Sequence, residues 1–147
     1  MSYALQIPQE YGYVLTVAAS SLFINTYHFY LTGTARRACG LAYPIPYATQ
    51  EQADKDPKAY KFNVAQRAHA NYTENLTPFL VALLISGLRY PNVSAGLGAA
   101  WVIGRFWYAF GYVSQGPKGR IPGFAISSLS DLALKVMGLV TGYKMIV

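Results

Sequence analysis

Arg67-Ala68-His69-Ala70-Asn71-Tyr72-Thr73-Glu74-Asn75 runs without a break into Leu76-Thr77-Pro78-Phe79-Leu80-Val81-Ala82-Leu83-Leu84-Ile85-Ser86-Gly87-Leu88. A polar stretch with two opposite charges is joined to a run of membrane character. On one helix, Arg67, Asn71 and Glu74 fall at i, i+4 and i+7, on a single face. The uncharged part between Glu74 and Arg89 has only 14 residues, whereas about 20 apolar residues are needed to cross a bilayer core. The segment therefore spans only if the polar nine are included. From a helix start near Phe62, Glu74 lies about 18 Å along the axis, near mid-depth. A carboxylate there cannot face lipid, and charges inside a membrane are functional by default. Pro78 cannot donate to the Glu74 carbonyl, which predicts a local kink.

Composition agrees with a membrane setting. Charged residues make up 12% of the 147 and hydrophobic ones 53%, against about 25% charged in a typical soluble domain. Tyr11–Ala35 holds 25 residues without Asp, Glu, Lys or Arg. Glu10 is the only charge before it, so a basic leader is missing and the run reads as a span rather than a cleaved signal peptide. The single cysteine, Cys39, excludes an intrachain disulfide framework.

These features predict one all-α domain over residues 1–147, with spans near 11–35, 62–88, 93–113 and 122–147. Loop one, Arg36–Lys61, carries Pro44, Pro46 and Pro57 with the mixed-charge run Glu51-Gln52-Ala53-Asp54-Lys55-Asp56, and reads as a solvated loop. Loop three, Ser114–Gly123, is turn chemistry throughout. Basic residues concentrate in loop one and its edges (Arg36, Arg37, Lys55, Lys58, Lys61, Arg67) and in loop three (Lys118, Arg120). By the positive-inside rule both loops are cytoplasmic and both termini lumenal. The net charge of +6 is then topogenic, and no nucleic-acid motif accompanies it.

The third span carries Arg105, Tyr108 and Tyr112 at i, i+3 and i+7, a second one-sided polar stripe. It is either an interfacial aromatic belt or a pocket wall, and clustering on one face favours the wall. Gly96, Ala100 and Gly104 have small-xxx-small spacing, suited to close helix packing. Asp131 and Lys135 at i, i+4 reduce each other's insertion cost. The Arg67/Asn71/Glu74 stripe is either a polar network that locks helices, with Arg67 snorkelling, or a pocket for a small zwitterion. In the second case Arg67 grips a carboxylate, Glu74 an ammonium and Asn71 an amide. His69 lies off this face, and no metal-ligand spacing accompanies it.

Three motifs, Ala35-Arg36-Arg37-Ala38, Arg67-Ala-His69-x-Asn71-x-x-Glu74 and Gly104-Arg105-x-x-Tyr108-x-x-Gly111-Tyr112, together resemble the MAPEG family, the membrane-associated proteins in eicosanoid and glutathione metabolism. Tyr43-Pro-Ile-x-Tyr47 and Ser94-Ala-Gly-Leu-Gly-x-Ala-Trp101 are similar to its type 3 microsomal glutathione transferase branch. The resemblance extends over nearly the whole chain to about Arg120.

It implies a left-handed, antiparallel, integral membrane four-helix bundle that assembles as a homotrimer, with glutathione held between neighbouring subunits and no metal. Arg36, Arg67, His69, Asn71, Glu74, Tyr108 and Tyr112 would contact glutathione. Arg120, matched with a one-residue shift in loop three, would be the catalytic residue that stabilises the glutathione thiolate. Arg37 would handle product or lipid. The implied partners are glutathione, membrane lipid and a hydrophobic electrophile or lipid hydroperoxide. The implied location is the endoplasmic reticulum membrane, with the outer mitochondrial membrane as the alternative.

Two departures stand out. Asn75 stands where leukotriene-synthase-like members have Tyr, and a cysteine-bearing tail of animal type 3 members is lacking. The Gly/Pro-rich loop three is also similar to that of the non-catalytic five-lipoxygenase-activating protein. That supports an alternative reading, a lipid-binding membrane protein without enzymatic activity.

Overall fold

The computed structural model describes residues 7–147, and every regular element in them is helical. The helices are α1 (Tyr11–Cys39), α2 (Gln50–Lys55), α3 (Pro57–Gly87), α4 (Pro91–Gln115) and α5 (Ile121–Lys144). The all-α class expected from the sequence holds. The count differs, because loop one is not uniformly irregular. Thr49 and Gln52 form a reciprocal capping box that starts α2. Asp56 then accepts the Lys58 amide, and Pro57 occupies the first turn of α3. As a result α3 begins five residues before the expected Phe62 and runs unbroken through Pro78. A doubly bonded clamp holds the strand of loop one before α2: the Ala48 amide donates to Asn63 Oδ1 at 2.8 Å, and Asn63 Nδ2 donates to the Ala48 carbonyl at 2.9 Å.

The α3 helix is the organising element. It packs against α1, α2, α4 and α5, while α1 and α5 do not touch each other. The main core is built around α3 with residues from α1, α4 and α5, among them Val14, Tyr72, Phe79, Leu83, Trp101 and Leu134. Phe79 and Trp101 stack with ring centroids 3.7 Å apart and planes 4° from parallel. Outward-facing positions are also apolar: Phe23, Phe29, Leu129 and Leu139 are each at least 70% exposed. Such a surface suits lipid or a covering partner rather than water. Among the described helices, α5 is the one that meets the length and hydropathy expected of a membrane span, with a mean hydropathy of 1.4 over its most apolar 18 residues.

Close approach of α4 and α5 depends on glycine, and of the two glycines in the expected stripe only Gly104 takes part. A Cβ on Gly96 would meet nothing. On Gly104 it would lie 2.9 Å from the Ser127 amide nitrogen, and on Gly111 it would run into the Gly119 carbonyl. The contact stripe is therefore Gly104 and Gly111, seven residues apart, against Gly119 and Gly123. This seats the short connection Gly116–Arg120 directly on α4.

Candidate functional site

That seating delivers Arg120 to the second polar stripe. Its guanidinium lies 4.9 Å from the Tyr112 ring centre and donates to the Tyr108 hydroxyl at 3.4 Å. Tyr108 and Tyr112 are 2% and 9% exposed and meet edge to face at 5.8 Å. Tyr108 forms part of a cavity wall, and Tyr112 packs against it and under Arg120. A cavity of about 340 Å³ opens here, lined by Arg67, Asn71, Tyr108, Arg120, Ile121 and Phe124. Arg67 reaches along α3 to Glu74, with Nη1 and Oε1 3.3 Å apart. Both side chains are about half exposed, so the pair is accessible to a ligand from outside. The cavity thus joins two guanidiniums, a carboxylate next to one of them, an amide and a phenol. Such a set can bind a zwitterion with an excess of anionic groups.

Behind the cavity stands Arg105, 3% exposed. Its guanidinium lies 4.6 Å from the Tyr108 ring centre and 5.7 Å from those of Tyr72 and Trp101. A buried cation surrounded by aromatic faces is held by their quadrupoles. Arg105 Nη2 donates to Asn71 Oδ1 at 2.9 Å, which leaves the Asn71 amide nitrogen as its free donor. Arg105 belongs to the stripe read from the sequence, yet it bonds Asn71 and is not part of the lining of this cavity.

Arg36 and His69 lie elsewhere. They line a larger cavity of about 870 Å³ together with Arg37, Tyr43 and Gln66, and it shares no lining residue with the first. Arg36 is sandwiched between the rings of Tyr43 (4.3 Å) and Phe62 (4.6 Å) and donates to the carbonyls of Leu41 and Ala42. Much of its bonding capacity therefore goes into holding the turn after α1. His69 Nε2 lies 3.0 Å from Asn25 Oδ1, and its ring stacks on that of His28 at 5.4 Å. His28 is fully buried, and nothing in the uncharged run around it signals that position. Within one chain, then, Arg67, Asn71, Glu74, Tyr108, Tyr112 and Arg120 come together, and Arg36 with His69 form a separate group.

The MAPEG family model matches residues 14–140. Among curated proteins, the chain is similar to the uncharacterized protein sll1147 of Synechocystis sp., 36% identical over 110 residues that cover 74% of this chain and 72% of that protein. The matched span takes in both cavities, all of α3 and α4 and most of α1 and α5, and the chain belongs to the MAPEG family.

Proposed function

We propose that the protein is a membrane-bound glutathione transferase of the type 3 microsomal kind. It would join the glutathione thiolate to hydrophobic electrophiles and reduce lipid hydroperoxides. The observation that carries this reading is the meeting of Arg67 and Arg120 at one cavity, with Glu74 paired to Arg67 beside it. Glutathione has two carboxylates, one ammonium and a thiol. Arg67 and Glu74 match a carboxylate and the ammonium, and Asn71 matches a peptide group.

Arg120 has the position for thiol activation. A free thiol ionises near pH 8.5, and a guanidinium that stays protonated favours the thiolate. The thiol proton leaves to solvent. The thiolate sulfur then attacks an electrophilic carbon. A C–S bond forms as an epoxide C–O bond opens or a conjugated double bond passes its electron pair to the acceptor, and the resulting anion takes a proton from solvent. Alternatively the sulfur attacks the terminal oxygen of a hydroperoxide, breaking the O–O bond to give a sulfenic acid and an alkoxide that is protonated to the alcohol. In the second case a second glutathione thiol resolves the sulfenic product to a disulfide and water. The apolar substrate would approach from the bilayer along the exposed aromatic and aliphatic faces.

The separation of Arg36 and His69 from the main cavity supports a homotrimer in which one copy's Arg36 face completes the neighbour's pocket. Basic residues in loops one and three support a cytoplasmic site with both termini lumenal. The resemblance to microsomal members supports the endoplasmic reticulum membrane.

The test is titration of glutathione into detergent-purified protein, following thiolate absorbance and thermal stability together. A saturable rise in both supports the transferase. Lipid binding with no glutathione-dependent change in either would establish instead the non-catalytic lipid-binding reading.

A further inference from the structure

Asp131 and Lys135 sit on α5 with Lys135 Nζ on Asp131 Oδ2 at 2.5 Å. The other carboxylate oxygen, Oδ1, is buried and has no partner among the described residues, and neither does Arg105 Nε. Both residues line one small cavity of about 110 Å³, with Asn71, Asn75, Trp101 and Ser128 also on its wall. Buried polar atoms are satisfied almost without exception, by protein or by ordered water. Here a buried N–H donor and a buried carboxylate acceptor border the same space. At roughly 30 Å³ per molecule the space admits several waters. One cation and one anion on its wall offset each other, so it suits a neutral hydrogen-bonding molecule rather than an ion. Asn75 adds to the polarity: its Nδ2 is committed to the Asn71 carbonyl at 2.7 Å, which leaves Oδ1 as an acceptor.

This cavity shares Asn71 and Phe124 with the larger cavity that holds Arg67 and Arg120. Arg105 connects them chemically, since its Nη2 fixes Asn71 Oδ1. We propose that the cavity is a hydrated site in which water bridges Asp131 Oδ1 to Arg105 Nε, making Asp131 a positioning residue for Asn71 and hence for the ligand pocket. Lys135 anchors the carboxylate, water carries its hold to Arg105, and Arg105 orients the amide that faces the ligand. The proposal rests on the reading of the larger cavity as the glutathione site.

The experiment uses the full chain in detergent with glutathione as the probe. Asp131→Leu removes the acceptor, and Ser128→Val fills the cavity without touching any charge. Both are expected to weaken glutathione binding about tenfold, the size typical of coupling through an intermediary, with turnover at saturating glutathione little changed. Asp131→Asn keeps an acceptor oxygen and should recover most of the lost affinity. Trp101 gives a readout that needs no glutathione. In a Trp107→Phe background, Ser128→Val should shift its emission to the blue as water leaves. Wild-type binding that survives both Asp131→Leu and Ser128→Val unchanged would overturn the positioning role. An unshifted Trp101 emission would overturn the hydrated cavity. If the parent chain itself fails to bind glutathione, the pocket reading falls, while the emission result still decides the hydration.

Discussion

Arg120 donates to the Tyr108 hydroxyl at 3.4 Å, a bond longer than the usual 2.7–3.2 Å and so readily exchanged for a stronger acceptor. The arginine is held in place by its stacking on Tyr112 while its donors stay available. Arg120→Ala is expected to lower turnover about a hundredfold, the scale of losing one charge-stabilising donor, with glutathione affinity nearly intact. Stopped-flow absorbance of the thiolate beside calorimetric binding would check it. Equal loss in both would reassign Arg120 from activation to binding.

The Arg67–Glu74 pair behaves differently if it is a ligand grip. Exposed ion pairs contribute about 0–1 kcal/mol to stability, so Arg67→Ala and Glu74→Gln should leave the ligand-free melting temperature almost unmoved. Each should weaken glutathione binding about tenfold, within the range of charge-assisted hydrogen bonds. A large drop in ligand-free stability with normal affinity would restore the view that the stripe only locks helices.

Gly111 tests how packing sets the chemistry. A methyl group there meets the Gly119 carbonyl, a backbone atom that cannot rotate away. Gly111→Ala should cost about 1–3 kcal/mol of stability, as overpacking does, and should also impair turnover by lifting Arg120 off Tyr112. Thermal unfolding in detergent and initial rates on the same preparation would show both effects, or neither. Gly96→Ala, placed in open space, is the matched control: turnover should be unchanged, and stability should hold or rise by up to about 1 kcal/mol from the better helix former.

Phe79 offers the opposite case, large in energy and remote from the ligand. It is fully buried and stacked on Trp101. Phe79→Ala should destabilise by about 3–5 kcal/mol, as for other buried aromatics, while the surviving folded protein binds glutathione with ordinary affinity. Denaturation followed by far-ultraviolet circular dichroism, with calorimetry below the transition, separates the two.

Arg36 is held by shape as much as by charge. Lysine keeps the charge but loses the flat guanidinium that fits between Tyr43 and Phe62. Arg36→Lys should let amides of residues 41–48 exchange about tenfold faster, in keeping with a desolvated cation–π contact. Hydrogen-exchange mass spectrometry resolves that segment, and unchanged protection there would show that the sandwich does not hold the turn.

What was legible in the sequence was local. The Arg67/Asn71/Glu74 and Arg105/Tyr108/Tyr112 stripes follow from helical spacing, and both line the observed cavity or hold its walls. The caps at Thr49/Gln52 and Asp56-Pro57 are equally local, but they stand among the prolines and mixed charges that make Arg36–Lys61 read as a solvated loop, so α2 is a finding of the structure. Long-range facts left no such trace. Spacing alone selected Gly96, Ala100 and Gly104, because which glycines touch α5 depends on where α5 docks. Spacing puts His69 off the Arg67 face, but that Arg36 joins it at a separate cavity depends on how α1 lies against α3.

That division has a genetic consequence. In the proposed trimer each pocket draws Arg120 from one copy and Arg36 from another, so damage is counted per pocket and not per chain. Chains defective only in Arg120 and chains defective only in Arg36 would each be inactive alone. Coexpressed, they would assemble some pockets with both arginines intact and regain part of the activity. By the same logic a single defective copy in a mixed trimer would spoil two pockets if it lacked both residues, and one if it lacked either.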